Sequence, residues 1–146
     1  MIGGVLVGLQ FAALATLAWL SLPAWAGGAA PLGAWLALAA GAALGAAALA
    51  CNRPGNFNIR PEPRAGGRLV QRGPYRWIRH PMYSAVLVCA VACVWAHPTL
   101  LTGVTLVVLA GVLQAKALLE ERWMRRLHPA YATYCAATRR FVPGLY

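Results

Sequence analysis

Four long apolar runs dominate the chain, and the polar positions collect in the segments between them. The runs predict helices over 2–26, 29–51, 81–96 and 98–121. The first two exceed the roughly 20 residues that a helix needs to cross about 30 Å of hydrocarbon. The third is short for a span and predicts little tilt or a locally thinned bilayer. Between the first two runs lie only Gly27, Gly28 and Pro31 as breakers, and His97-Pro98 separates the last two. Both connections are uncharged, so the pattern predicts two helical hairpins in one all-α membrane domain. Gly41 and Gly45 form a small-xxx-small pattern on the second helix, where another helix can approach closely. Ala24-Trp25-Ala26 resembles a signal-peptide cleavage site, but no Lys or Arg stands near Met1 and the run is long, so the first helix is read as retained.

Composition agrees with a membrane protein: of 146 residues 60% are hydrophobic and 11% charged, against about 25% charged in soluble domains. The net charge of +10 raises nucleic acid as a partner, and its distribution excludes one. All thirteen Lys and Arg lie between Arg53 and Arg140, and seven of them fall in the loop 52–80. Basic loops between apolar spans mark the cytoplasmic side. An even number of spans puts loop 52–80 and tail 122–146 there together, with both termini. The expected setting is a bacterial inner membrane. The tail is expected to form an amphipathic helix on the lipid surface or a lid of aromatic rings. Cys51, Cys89, Cys93 and Cys135 have no metal-ligand spacing and are read as small hydrophobes, so no metal is expected.

The most polar and most rigid stretch, GPYRWIRHPMYS, runs directly into the third apolar segment. Each histidine of the chain precedes a proline, and a proline favours the first position of a helix. His97 and His128 need no further reading. His80 stands among Arg76, Arg79, Tyr75 and Tyr83, and Pro81 opens a helix whose free N–H groups favour an anion. Folding the third and fourth helices about His97-Pro98 sets His80 level with about Ala115, so Glu120 and Glu121 project about 7–8 Å beyond it at 1.5 Å per residue. Two of the chain's three acids thus fall beside this cluster. Cations and anions at an apolar mouth suit a zwitterionic ligand. The alternatives are an exposed salt bridge, weak by itself, and arginines that anchor headgroups. The stretch from Asn52 to Pro63 is stiffened by prolines and is expected to be extended, either as a connector or as part of the pocket wall, with Asn56 and Arg60 as candidates at the substrate.

Leu69-Val70, Gly73-Pro74-Tyr75-Arg76, Arg79-His80-Pro81-Met82-Tyr83, a hairpin, Glu120-Glu121, Tyr131-x-x-Tyr134 and Arg140-Phe141-Val142-Pro143 follow one another in order. Over about residues 50–143 the chain resembles the isoprenylcysteine carboxyl methyltransferase and phospholipid methyltransferase family. Ala85, where many members carry glycine, and His128-Pro129, in place of a Phe-Gly pair, depart from it. The resemblance implies an integral-membrane methyltransferase that uses S-adenosylmethionine. It implies a cofactor pocket of Tyr75, Arg76, Arg79, His80, Tyr83, Glu120, Glu121, Tyr131 and Tyr134, with Glu120 and Arg79 nearest the chemistry. The substrate is expected to be lipophilic and to enter from the bilayer. A small transporter or scaffold is the competing class; it has few polar groups in its spans to work with, namely Gln10, Gln114 and Lys116.

Overall fold

The computed structural model describes residues 2–52 and 69–146. Its elements are α1 (Ile2–Ala26), α2 (Leu32–Cys51), a single 3-10 turn (Gly73–Arg76), α3 (Pro81–Ala96), α4 (Leu100–Leu127) and α5 (Tyr131–Ala137). Among the described residues there is no strand, only one isolated parallel bridge between Ile78 and Arg139. Asn56 and Arg60, the candidates for the substrate, lie outside the described residues.

Three helices, α1, α2 and α4, are long and apolar enough to cross a membrane, not the four expected. The exception is α3. Pro81 fixes its start and His97 ends it after 16 residues, a length of about 24 Å at 1.5 Å per residue against about 30 Å of hydrocarbon. Large apolar side chains such as Trp19, Leu36, Leu100 and Val107 stand outward. That reverses the pattern of a water-soluble bundle and marks a membrane protein.

The hairpins form as the breakers predict. After α1, Gly28 takes φ 70, a left-handed conformation open to glycine, and Ala30 N–H returns to the Ala24 carbonyl at 3.0 Å. Pro31 then caps α2, which starts at Leu32 rather than at 29. At the second hairpin Thr99, not Pro98, opens the helix: its hydroxyl accepts from Thr102 N–H, and the Thr102 side chain answers to Thr99 N–H. Such a reciprocal cap satisfies two donors that the helix leaves free.

The helices pack crosswise between hairpins, α2 on α3 and α1 on α4. Gly41 makes the first contact possible: a Cβ there would come within 2.6 Å of Cys89 Sγ and 3.0 Å of the Ala85 carbonyl. Leu17, Leu109 and Leu113, with Ala13 and Ala90, form the buried centre of α1, α3 and α4. The amphipathic tail helix does not form as one piece. Its first residues, 122–127, extend α4, and His128 (φ −126, ψ 105) breaks the helix ahead of Pro129. What remains is the seven-residue α5 and an extended end lying along residues 77–80. The physical reason is the burial of Tyr131 and Tyr134: rings facing the protein leave no apolar stripe for lipid.

Candidate functional site

The stretch before α3 is held from both sides. Gly73 adopts φ 58, and any side chain there would collide with Cys51 Sγ, so the 3-10 turn sits directly on the end of α2. Pro74 is its second residue, and the turn buries Tyr75. The Tyr75 phenol is pushed up to about 12, first by burial and then by the charge of Glu120, with a hydrogen bond from the Asn52 side chain working the other way. The Tyr75 carbonyl accepts the Tyr134 hydroxyl at 2.7 Å. Tyr131 and Tyr134 pack ring to ring at 5.8 Å. Burial is the leading cause that pushes both phenols up. These tyrosines therefore brace the turn from beneath and do not stand free as a lid.

From the other side, the end of the chain lines up along residues 77–80. Arg79 N–H donates to the Arg139 carbonyl at 2.7 Å and His80 N–H to the Arg140 carbonyl at 3.1 Å. The Ser84 hydroxyl donates to the Phe141 carbonyl at 2.7 Å. These chain-end carbonyls meet donors at the approach to α3, where the sequence pointed to an anion.

The two adjacent acids meet very different surroundings, because successive residues on a helix point about 100° apart. Glu121 is buried. Arg79 Nε donates to its Oε1 at 2.9 Å, Arg140 grips both oxygens at 3.0 and 3.1 Å, and His80 Nε2 lies at 3.3 Å. Arg79 also donates to the carbonyls of Thr138 at 2.6 Å and Cys135 at 3.3 Å. Hydrogen bonding to Glu121 holds the Arg140 guanidinium above its ordinary range. Glu120 is 36% exposed at its side chain against 2% for Glu121. It accepts the Tyr83 hydroxyl at 3.1 Å, and His80 Nδ1 stands 3.6 Å from the same oxygen. The Tyr83 ring stacks on His80 with centroids 5.3 Å apart, and Phe141 packs against both.

Of the residues expected from sequence, the structure gathers Arg79, His80, Tyr83, Glu120 and Glu121 into one cluster, with Tyr75, Tyr131 and Tyr134 in its supporting wall. Arg76 stays exposed and makes no ion pair among the described residues. Sequence reasoning missed Arg140 as the second clamp on Glu121. A signal existed: a buried acid requires cations, and Arg139-Arg140 close the motif series. It also missed Tyr146, whose hydroxyl accepts from Arg140 Nη1 and from Gln114 Nε2, each at 2.6 Å. Among the described residues no group of three or more His, Cys, Asp or Glu is placed to hold a metal ion.

The arrangement offers a half-exposed carboxylate, edged by aromatic rings, above an ion network in which the one buried carboxylate of Glu121 meets the guanidiniums of Arg79 and Arg140. It can hold a cation and align a reacting pair, because anions and ring faces both attract positive charge. A family model described as phospholipid methyltransferase matches residues 24–131. No curated protein and no solved structure matches the chain.

Proposed function

Because the chain belongs to the phospholipid methyltransferase family, we propose that it transfers a methyl group from S-adenosylmethionine to a lipophilic substrate at the Glu120 cluster. The observation that carries this reading is the contrast between the two neighbouring acids. Glu121 is spent on Arg79, Arg140 and His80, whereas Glu120 is half-exposed and aimed by Tyr83. A built network that leaves one carboxylate available beside aromatic rings fits a cationic ligand better than a structural salt bridge, which needs no such asymmetry.

The cofactor supplies a sulfonium-bound methyl group that a nucleophile takes by in-line displacement, leaving the electron pair on sulfur. Glu120 is the residue proposed to hold the positive head or the ribose hydroxyls, and His80 and Tyr83 form the wall beside it. Arg79 and Arg140, with Glu121, keep that wall rigid. Alignment and exclusion of water are the main demands of such a transfer. A phenol held near 12, like that of Tyr75, stays protonated at neutral pH and serves as a donor, not a base. For an amine acceptor, Glu120 is the group we propose to take its proton. The acceptor is a phospholipid amine, an isoprenylcysteine-like carboxylate or another amphipathic molecule, and it approaches through the bilayer. The positive-inside rule, applied to the basic residues around the cluster, supports a site at the cytoplasmic face.

The test is calorimetric titration with S-adenosylhomocysteine of protein in lipid nanodiscs. The expected result is saturable binding that Glu120→Gln weakens about tenfold, the factor for one charged hydrogen bond, with an unchanged melting temperature. Folded wild type that binds no S-adenosylhomocysteine would refute the reading.

A further inference from the structure

A second polar element lies deeper, one turn of α4 below Glu120. Lys116 is 1% exposed. Its Nζ donates to Gln10 Oε1 on α1 at 2.5 Å, and it lies 5.2 Å from the centre of the Tyr83 ring. Gln10 is itself buried. Ionisable groups inside a span are costly and are kept where they act. An intrahelical pair does not account for it: Lys four residues before Glu is the less favourable order on a helix, and the amine turns toward Gln10. Lys116 is also too buried to touch a ligand. What it does touch is Tyr83, the residue that aims Glu120.

Resting on the function proposed above, we propose that Gln10 and Lys116 are positioning residues: they lock the Tyr83 ring, and through its hydroxyl they aim the Glu120 carboxylate. The chain of contacts runs from Gln10 Oε1 to Lys116 Nζ, to the Tyr83 ring stacked on His80, to Glu120 Oε2. Gln10 precedes residues 24–131, the part that the family model matches. The clamp therefore ties the remainder of α1 into the site, a role that packing of apolar side chains alone cannot give it, since apolar contacts have no direction.

The experiment compares wild type with Gln10→Leu/Lys116→Met, with Tyr83→Phe, and with all three changes together. Replacing both members of a buried polar pair by apolar groups leaves stability nearly unchanged, so the melting temperature of Gln10→Leu/Lys116→Met is expected to equal that of wild type. Its affinity for S-adenosylhomocysteine is expected to fall about tenfold, and the triple variant to lose no more than Tyr83→Phe alone, since coupled residues are not additive. Wild-type affinity in Gln10→Leu/Lys116→Met, or an undiminished extra loss on top of Tyr83→Phe, would overturn the clamp. Should the double replacement fail to fold, Lys116→Gln keeps an N–H donor on the residue facing Gln10, removes the cation from the Tyr83 ring, and carries the same comparison. The same samples without ligand are treated with carbodiimide and an amine, and labelling of Glu120 is read by peptide mass spectrometry. Several-fold faster labelling in Gln10→Leu/Lys116→Met and in Tyr83→Phe supports the clamp, and wild-type labelling in the former overturns it. This arm stands even if wild type binds no S-adenosylhomocysteine, a result that refutes the function alone.

Discussion

Glu120 and Glu121 are chemically identical neighbours that the fold separates into different roles. The buried Glu121 is surrounded by Arg79, Arg140 and His80 at 2.9 to 3.3 Å. Removing its charge leaves two guanidiniums facing each other in a half-dry site. Breaking one partner out of a buried network costs about 3–5 kcal/mol. Glu121→Gln is therefore expected to lower the melting temperature of the purified protein sharply, whereas Glu120→Gln leaves it in place and acts on ligand affinity. A thermal melt of both variants by intrinsic tryptophan fluorescence checks this. Equal melting temperatures would show that the network is not holding the fold. The residue types of the site were visible in the sequence, because a chain with three acids that sets two of them side by side draws attention to both. Which of the two is spent and which is available was not visible, since it depends on how α4 is rotated against α3 and the chain end.

At the scale of elements, proline and glycine determine more than hydropathy does. Pro81 starts α3, Gly28 turns the first hairpin, and Gly41 lets α2 lie on α3. Gly41 and Gly45 match the same motif but differ in their surroundings: an added Cβ meets Cys89 Sγ and backbone at Gly41, yet only the Ala85 methyl at 3.5 Å at Gly45. Gly41→Ala is expected to destabilise the protein by about 1–3 kcal/mol, the usual cost of overpacking. Gly45→Ala is expected to be near neutral, and a denaturation series on the two variants separates them. The reach of α4 was misjudged from sequence. The run of apolar residues ends near Glu120, but the helix continues to Leu127, because Glu121 to Leu127 still favour helix and Arg125 pairs with Glu121 one turn back at 3.6 Å. The tail was misjudged for the opposite reason. Two tyrosines three apart suit a lipid-lying helix equally well, and only the contact with the Gly73–Arg76 turn, where the Tyr134 hydroxyl meets the Tyr75 carbonyl, decides that they point inward.

At the scale of the whole molecule, Arg79, Arg125 and Arg140 meet at Glu121, so the described arginine-rich segments gather at one end of a bundle with three helices long and apolar enough to cross a membrane. By the positive-inside rule the α1–α2 turn is expected to face away from the cytoplasm and the chain end to face into it. In a cysteine-free background, Ala29→Cys is expected to react with a membrane-impermeant maleimide added outside intact cells, and Val142→Cys only after the membrane is opened. The reverse pattern would invert the topology and move the proposed site to the other face. The short α3 gains meaning at this scale. Its N-terminal end carries His80 and Tyr83, so the start of this 16-residue helix positions two residues of the cluster.

Local chemistry alone determined the apolar helices, their breakers, the membrane setting and the cluster of residue types before α3, because each is written in short stretches of chain. Hydropathy requires burial in lipid, and proline and glycine act on their own backbone. The resemblance to a methyltransferase family was legible for the same reason, as an ordered set of short motifs. Only the tertiary structure decided that Arg140 joins Arg79 on Glu121, that the chain end closes over the approach to α3, and that Gln10 reaches Lys116 across 106 positions. Those contacts depend on the relative rotation and depth of packed helices, which no single segment encodes.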